Sequence, residues 1–133
     1  MELSSFIRAR LDDDEAAAKA AGLRAKSPWD KGDAAGSPLP SAVSMFDASD
    51  ESFAVIRGSY VAGHVMRHDP ARVLREVEAK RAIVAAYSEH ADLDIADPEP
   101  EYAYGHAAGL GFAVRQAAAV YSDHPDYQPE WKA

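Results

Sequence analysis

HVMRHDPARVLREVEAKRAIV, residues 64–84, is the stretch whose reading decides the fold. Asp is a good helix N-cap and Pro is favoured at the first helical position, so Asp69-Pro70 marks a helix start. The residue before a proline is biased away from α conformation, so a helix arriving through residues 60–66 has to stop there. Two helices therefore meet at a sharp corner. In the second, residues 71–89, Leu74, Val77, Val84 and Tyr87 form an apolar stripe near the helical period. Arg72, Glu76 and Lys80, with Glu78 and Arg81, supply charge pairs three and four residues apart.

Toward the N-terminus, residues 3–23 carry a second helical stripe of Leu3, Ile7, Leu11, Ala18 and Ala21, with Phe6 and Ala17 beside it. Gly22 and then Pro28 end it. The acidic run 12–15 falls in mid-helix, and Asp14 lies on or beside the stripe. It reads either as an edge charge paired with Arg10 or as a carboxylate facing a cleft. Residues 26–42 hold three prolines and two glycines, which makes them a loop with Trp29 as its anchor. Residues 43–46 and 52–57, rich in Val, Ile and Phe around the turn DASDE, read as a β-hairpin. A two-stranded hairpin is marginal in water, so it must lie on a helix or gain a third strand near Trp29.

Toward the C-terminus, residues 90–101 are acidic and contain Pro98 and Pro100, a loop pattern. A last helix is expected over residues 104–121, where Gly105, Gly109 and Gly111 would admit a neighbouring helix of the same chain. The tail SDHPDYQPEWK offers Tyr127 and Trp131 as anchors. The expected fold is α+β, with three principal helices packed with a β-hairpin or short antiparallel sheet. A chain of 133 residues fits a single domain, residues 1–133.

Composition narrows function mainly by exclusion. With 22 acidic against 14 basic residues the formal net charge is −8, which disfavours nucleic acid and anionic membranes as partners. The absence of cysteine removes disulfides, thiolate metal sites and thiol nucleophiles. The N-terminus lacks the run of about 7 to 15 apolar residues of a secretory signal. No stretch approaches the roughly 18 apolar residues needed to span a bilayer, so the cytoplasm is the expected compartment. There is no GxSxG, GxxxxGK or Rossmann glycine pattern.

Chemistry concentrates at the corner. His64 and His68 are four apart, so one helix face offers two ring nitrogens to one divalent metal such as zinc. Asp69 follows directly, and His124 or His106 would extend the shell. Position 65 is Val, so the catalytic Glu of HExxH is missing. Arg72 and Arg75, with Tyr127 and Trp131, are the alternative binding surface. The tail is expected to fold over the corner, bringing His124 toward the His64 face.

HDPARVLREVEAKR, the opening helix FIRARLDDDEAAAKAA and the tail YSDHPDYQPEWK resemble a family of small uncharacterised actinobacterial and actinophage proteins, a domain of unknown function. The resemblance draws attention to His64, His68, Asp69, Pro70, Arg72, Glu76, Lys80, Arg81, His124, Pro125, Tyr127 and Trp131. It implies no activity that carries over. Two functions remain: a small binding or self-associating protein, such as a homodimer or the partner of another protein, and a metal-dependent enzyme or metal-stabilised site at the corner.

Overall fold

The computed structural model describes residues 1–34, 36–37, 41–91 and 100–132. Among them are four α-helices, α1 (Leu3–Arg24), α2 (Ser59–Arg67), α3 (Pro70–Ala91) and α4 (Pro100–Ala119), and a 3-10 turn at Pro129–Trp131. Three strands, β1 (Asp30–Asp33), β2 (Ala42–Phe46) and β3 (Ser52–Arg57), form an antiparallel sheet in the order β1-β2-β3. This is the expected α+β class. The short α2 is the helix expected to reach the corner through residues 60–66, and it stands beside the three principal ones. Most of the acidic loop expected over residues 90–101 lies outside the described residues, although His90 belongs to α3 and Glu101 to α4.

Contacts group the chain into two compact units. Unit 1 comprises Met1–Asp13 and Val77–Ala133, and unit 2 comprises Asp14–Glu76. The helices α1 and α3 thus contribute residues to both.

In unit 1, the first turns of α1 bury Leu3, Phe6, Ile7 and Leu11, the expected stripe. α3 adds Val77 and Val84, α4 adds Val114 and Ala118, and the terminal turn adds Trp131. Burying a Val, Leu, Ile or Phe side chain contributes about 1.5 to 3 kcal/mol, and these residues, with Ala118 and Trp131, form the hydrophobic centre of this unit. The ring of Phe6 is fully buried and meets Trp131 at 5.0 Å and Tyr127 at 6.0 Å. The tail aromatics therefore anchor the C-terminus. Arg81 reaches Asp12 at 2.6 Å. Arg10 pairs with Asp13, at 2.8 Å, and its guanidinium lies over the Phe6 ring at 5.5 Å.

In unit 2, the hairpin gains the third strand allowed for near Trp29, within the stretch otherwise read as a loop. Asp30–Asp33 pairs with β2 in the register Asp30↔Phe46 to Asp33↔Val43. Its sequence, DKGD, has no apolar alternation, which is why the pattern concealed its bounds. Gly32 lies close under the Phe46 ring, since a Cβ there would stand 3.0 Å from Phe46 Cε2 and the ring would have to give way. The hairpin joins β2 to β3 through residues 47–51, where Asp47 Oδ1 accepts from the backbone N–H groups of Ser49, at 2.8 Å, and Glu51, at 3.1 Å. That side chain replaces the missing ladder partners and fixes the turn. Gly58, at φ 95°, turns the chain from β3 into α2, a conformation that excludes most side chains. Trp29 anchors this unit: its indole N–H donates to the Ala25 carbonyl at 2.8 Å, and its ring lies 4.8 Å from Phe53.

Candidate functional site

The corner forms as its capping residues dictate. Asp69 Oδ1 accepts from Arg72 N–H at 3.0 Å, the N-cap bond of α3, and Oδ2 accepts from Trp29 N–H at 3.3 Å. Ser27 Oγ accepts from Ala71 N–H at 3.0 Å, satisfying another open donor of the first turn. Asp69 is therefore a structural cap with both oxygens engaged. Arg72 is held as well, donating to Glu76 at 2.9 Å and to the Arg67 carbonyl at 3.1 Å. Arg75 is exposed.

His64 and His68 do share one face, with ring centroids 4.4 Å apart. His68 Nδ1 donates to the His64 carbonyl at 2.8 Å, which leaves its Nε2 as the free ring nitrogen. Beside this pair a small cleft of about 160 Å³ is lined by Asp14, Ala18, Trp29, His68, Pro70 and Val73. An apolar groove of about 620 Å³ is lined by Ala18, Gly22, Leu23, Pro70, Ala71 and Leu74, with Lys19 and Lys26 at its rim. Leu23 is 85% exposed there.

A different cleft, of about 400 Å³, lies along α2, lined by Lys31, Ser59, Tyr60, Gly63, His64 and Arg67 among others. Lys31 Nζ is positioned by the carbonyl and the hydroxyl of Ser59, at 3.1 and 2.9 Å. No Asp or Glu is among the described lining residues. Of this set only His64 is among the site residues expected from the sequence. Lys31 escaped notice because the bounds of its strand did, although Tyr60, His64 and Arg67 at helical spacing were a readable signal.

His124 belongs to unit 1. Arg10 Nη1 stands 2.6 Å from His124 Nε2 and 3.1 Å from Nδ1, and the imidazole meets the Phe6 ring at 5.7 Å. A guanidinium only donates, so this contact occupies the lone pair a metal would need. His106 lies 4.2 Å from the ring of His90. Tyr127 is half-buried and Trp131 only 8% exposed, so neither presents its ring freely to a partner. Among the described residues no group of three or more His, Asp or Glu is placed to hold a metal ion.

On α4 the glycines divide by direction. Gly111 faces inward, where a Cβ would stand 3.3 Å from Tyr87, as a packing glycine should. At Gly105 and Gly109 no described residue lies within 4 Å of an added Cβ. The intramolecular neighbour expected at these two positions is not among the described residues. Around them Tyr102, Phe112 and Val120 are 72%, 54% and 65% exposed. Residues 102–120 contain no carboxylate, and Arg115 is their one Lys or Arg.

The helices and antiparallel sheet define an α+β protein. A family model described as a family of unknown function (DUF6221) matches residues 1–133, and the chain belongs to that family. No curated protein and no solved structure matches it. Among the described residues no helix is long and apolar enough to cross a membrane.

Proposed function

We propose that this is a small binding protein that works as a homodimer, with the exposed face of α4 meeting the same face of a second copy. The observation that carries this reading is the acid-free apolar strip of Tyr102, Gly105, Gly109, Phe112 and Val120. Two chains of net charge −8 repel each other, so contact is least costly where carboxylates are missing. Exposed glycines let helix axes come to about 8 Å, and the large side chains flanking them supply the apolar area. The contact is isologous, the commonest geometry of homodimers. A cytoplasmic setting, and the actinobacterial or phage context that the resemblance implies, belong to the same reading. A protein partner, where one is used, fits the apolar groove at Leu23 and Leu74, whose Lys19 and Lys26 rim favours an acidic segment.

Sedimentation velocity tests the dimer directly. The wild type is expected to show a concentration-dependent dimer, and Phe112→Glu a monomer with unchanged melting, since Phe112 is 54% exposed. Equal masses for the two chains at every concentration would overturn the proposal. A metal-dependent reading, with zinc or another divalent ion at His64, His68, Asp69 and His124, draws support from the 4.4 Å approach of the first two rings. The engagement of Asp69 and His124 by Trp29, Arg72 and Arg10 favours the binding reading over it.

A further inference from the structure

We infer that the cleft along α2 is a binding site for a nucleoside phosphate, separate from the α4 face and independent of the dimer. The chain carries 22 Asp and Glu residues, yet none is among the described residues lining this cleft of about 400 Å³, while Lys31 and Arg67 are. An anion in solution meets repulsion over most of such a protein and attraction at this place.

The local geometry is that of a held cation with capacity to spare. An ammonium has three N–H donors, and Lys31 directs two contacts at Ser59, leaving donor capacity for a ligand oxygen. Gly63 lies beside it, since a Cβ there would stand 3.7 Å from Lys31 Nζ, in ordinary contact. Arg67 and His64 are exposed on the same helix, one turn apart, and the Arg67 carbonyl is tied down by Arg72. A guanidinium can grip two phosphate oxygens at once, which a lone lysine cannot.

Phosphate alone leaves Tyr60 unexplained. Its ring is 97% exposed at the edge of the cleft, a costly way to display an aromatic surface that could otherwise be buried. An exposed tyrosine beside cationic groups supplies a stacking platform for a base while the phosphate sits on Lys31 and Arg67. The volume lies at the small end of ligand sites, about 300 to 1,000 Å³, and suits one nucleotide. The acidic remainder of the chain disfavours a long polyanion.

The test is NMR titration of the full chain with AMP, and in parallel with adenosine, inorganic phosphate and a short oligothymidylate. AMP is expected to saturate at one equivalent, shifting the Tyr60, Gly63 and Arg67 amides, with adenosine and phosphate each weaker by about tenfold or more. Arg67→Ala should weaken AMP and phosphate alike, whereas Tyr60→Ala should weaken AMP and leave phosphate unchanged. Both residues are exposed, so the variants should fold, and an unchanged amide spectrum outside α2 confirms it. No shift at these amides with millimolar AMP would overturn the inference. Tighter binding of the oligothymidylate than of AMP would overturn it too, by assigning the surface to single-stranded nucleic acid.

Discussion

The ring of Trp131 lies 5.0 Å from that of Phe6 at an interplanar angle of 44°, joining the third residue from the C-terminus to the first turns of α1. Both residues are buried, and Tyr127 closes the cluster at 5.7 Å from Trp131. Removing an aromatic from such a place costs about 3 to 5 kcal/mol, because a cavity remains. Trp131→Ala should therefore lower unfolding free energy in urea by about that amount, while Trp131→Phe should recover more than half. A midpoint within the error of the wild type would mean that the tail is not anchored.

The corner gives a smaller and more specific effect. Asp69→Ala removes the N-cap acceptor of α3 together with the bond from Trp29 N–H, for an expected loss of about 1 to 2 kcal/mol. Asp69→Asn keeps an acceptor and should lose less than half of this. Equal losses in the two variants would show that the negative charge, rather than the cap geometry, matters at this position.

A metal-stabilised corner and a capped corner differ in their response to a chelator. With Asp69 engaged by two backbone donors and His124 by Arg10, thermal melting of untagged protein should be the same with and without chelator. A fall of several degrees on chelation, restored by zinc, would instead establish His64 and His68 as ligands.

Three glycines on one helix should respond in opposite directions. Gly109→Ala and Gly105→Ala place a methyl where no described residue lies within 4 Å and improve helix propensity, so each should stabilise the monomer by about 0.5 to 1 kcal/mol. The same methyls should weaken the dimer. Gly111→Val forces a branched side chain against Tyr87 and should destabilise by about 1 to 3 kcal/mol. Denaturant melts at low concentration, paired with sedimentation, separate these effects.

The helices were legible because their apolar spacing and their caps agreed: Leu3, Ile7 and Leu11 are buried, and α3 begins at Pro70 as Asp69-Pro70 required. A third strand near Trp29 was foreseen as one way to complete the hairpin, but its bounds were hidden because DKGD has neither alternation nor β-branched residues, and pairing with β2 stabilises it instead. The site was legible only in part. The helical spacing of His64 and His68 placed their rings together, but which groups satisfy Asp69, His124 and Arg10 depends on contacts between residues far apart in sequence. Arg10, for example, meets Asp13 on its own helix and His124 more than a hundred residues away. The outward turn of Gly105 and Gly109 was equally unreadable, since a glycine that packs and one that faces solvent look alike in sequence.

A single cysteine settles the dimer most directly, because the chain has none of its own. Gly109 lies near the middle of the α4 strip, so in an isologous helix pair it meets its own copy, at a Cα separation within the roughly 4.4 to 6.8 Å a disulfide spans. Under mild oxidation at micromolar concentration, Gly109→Cys should give a covalent dimer in high yield, while Ala79→Cys, exposed on α3, should remain monomeric. Equal and slow cross-linking of both variants would contradict a dimer built on α4.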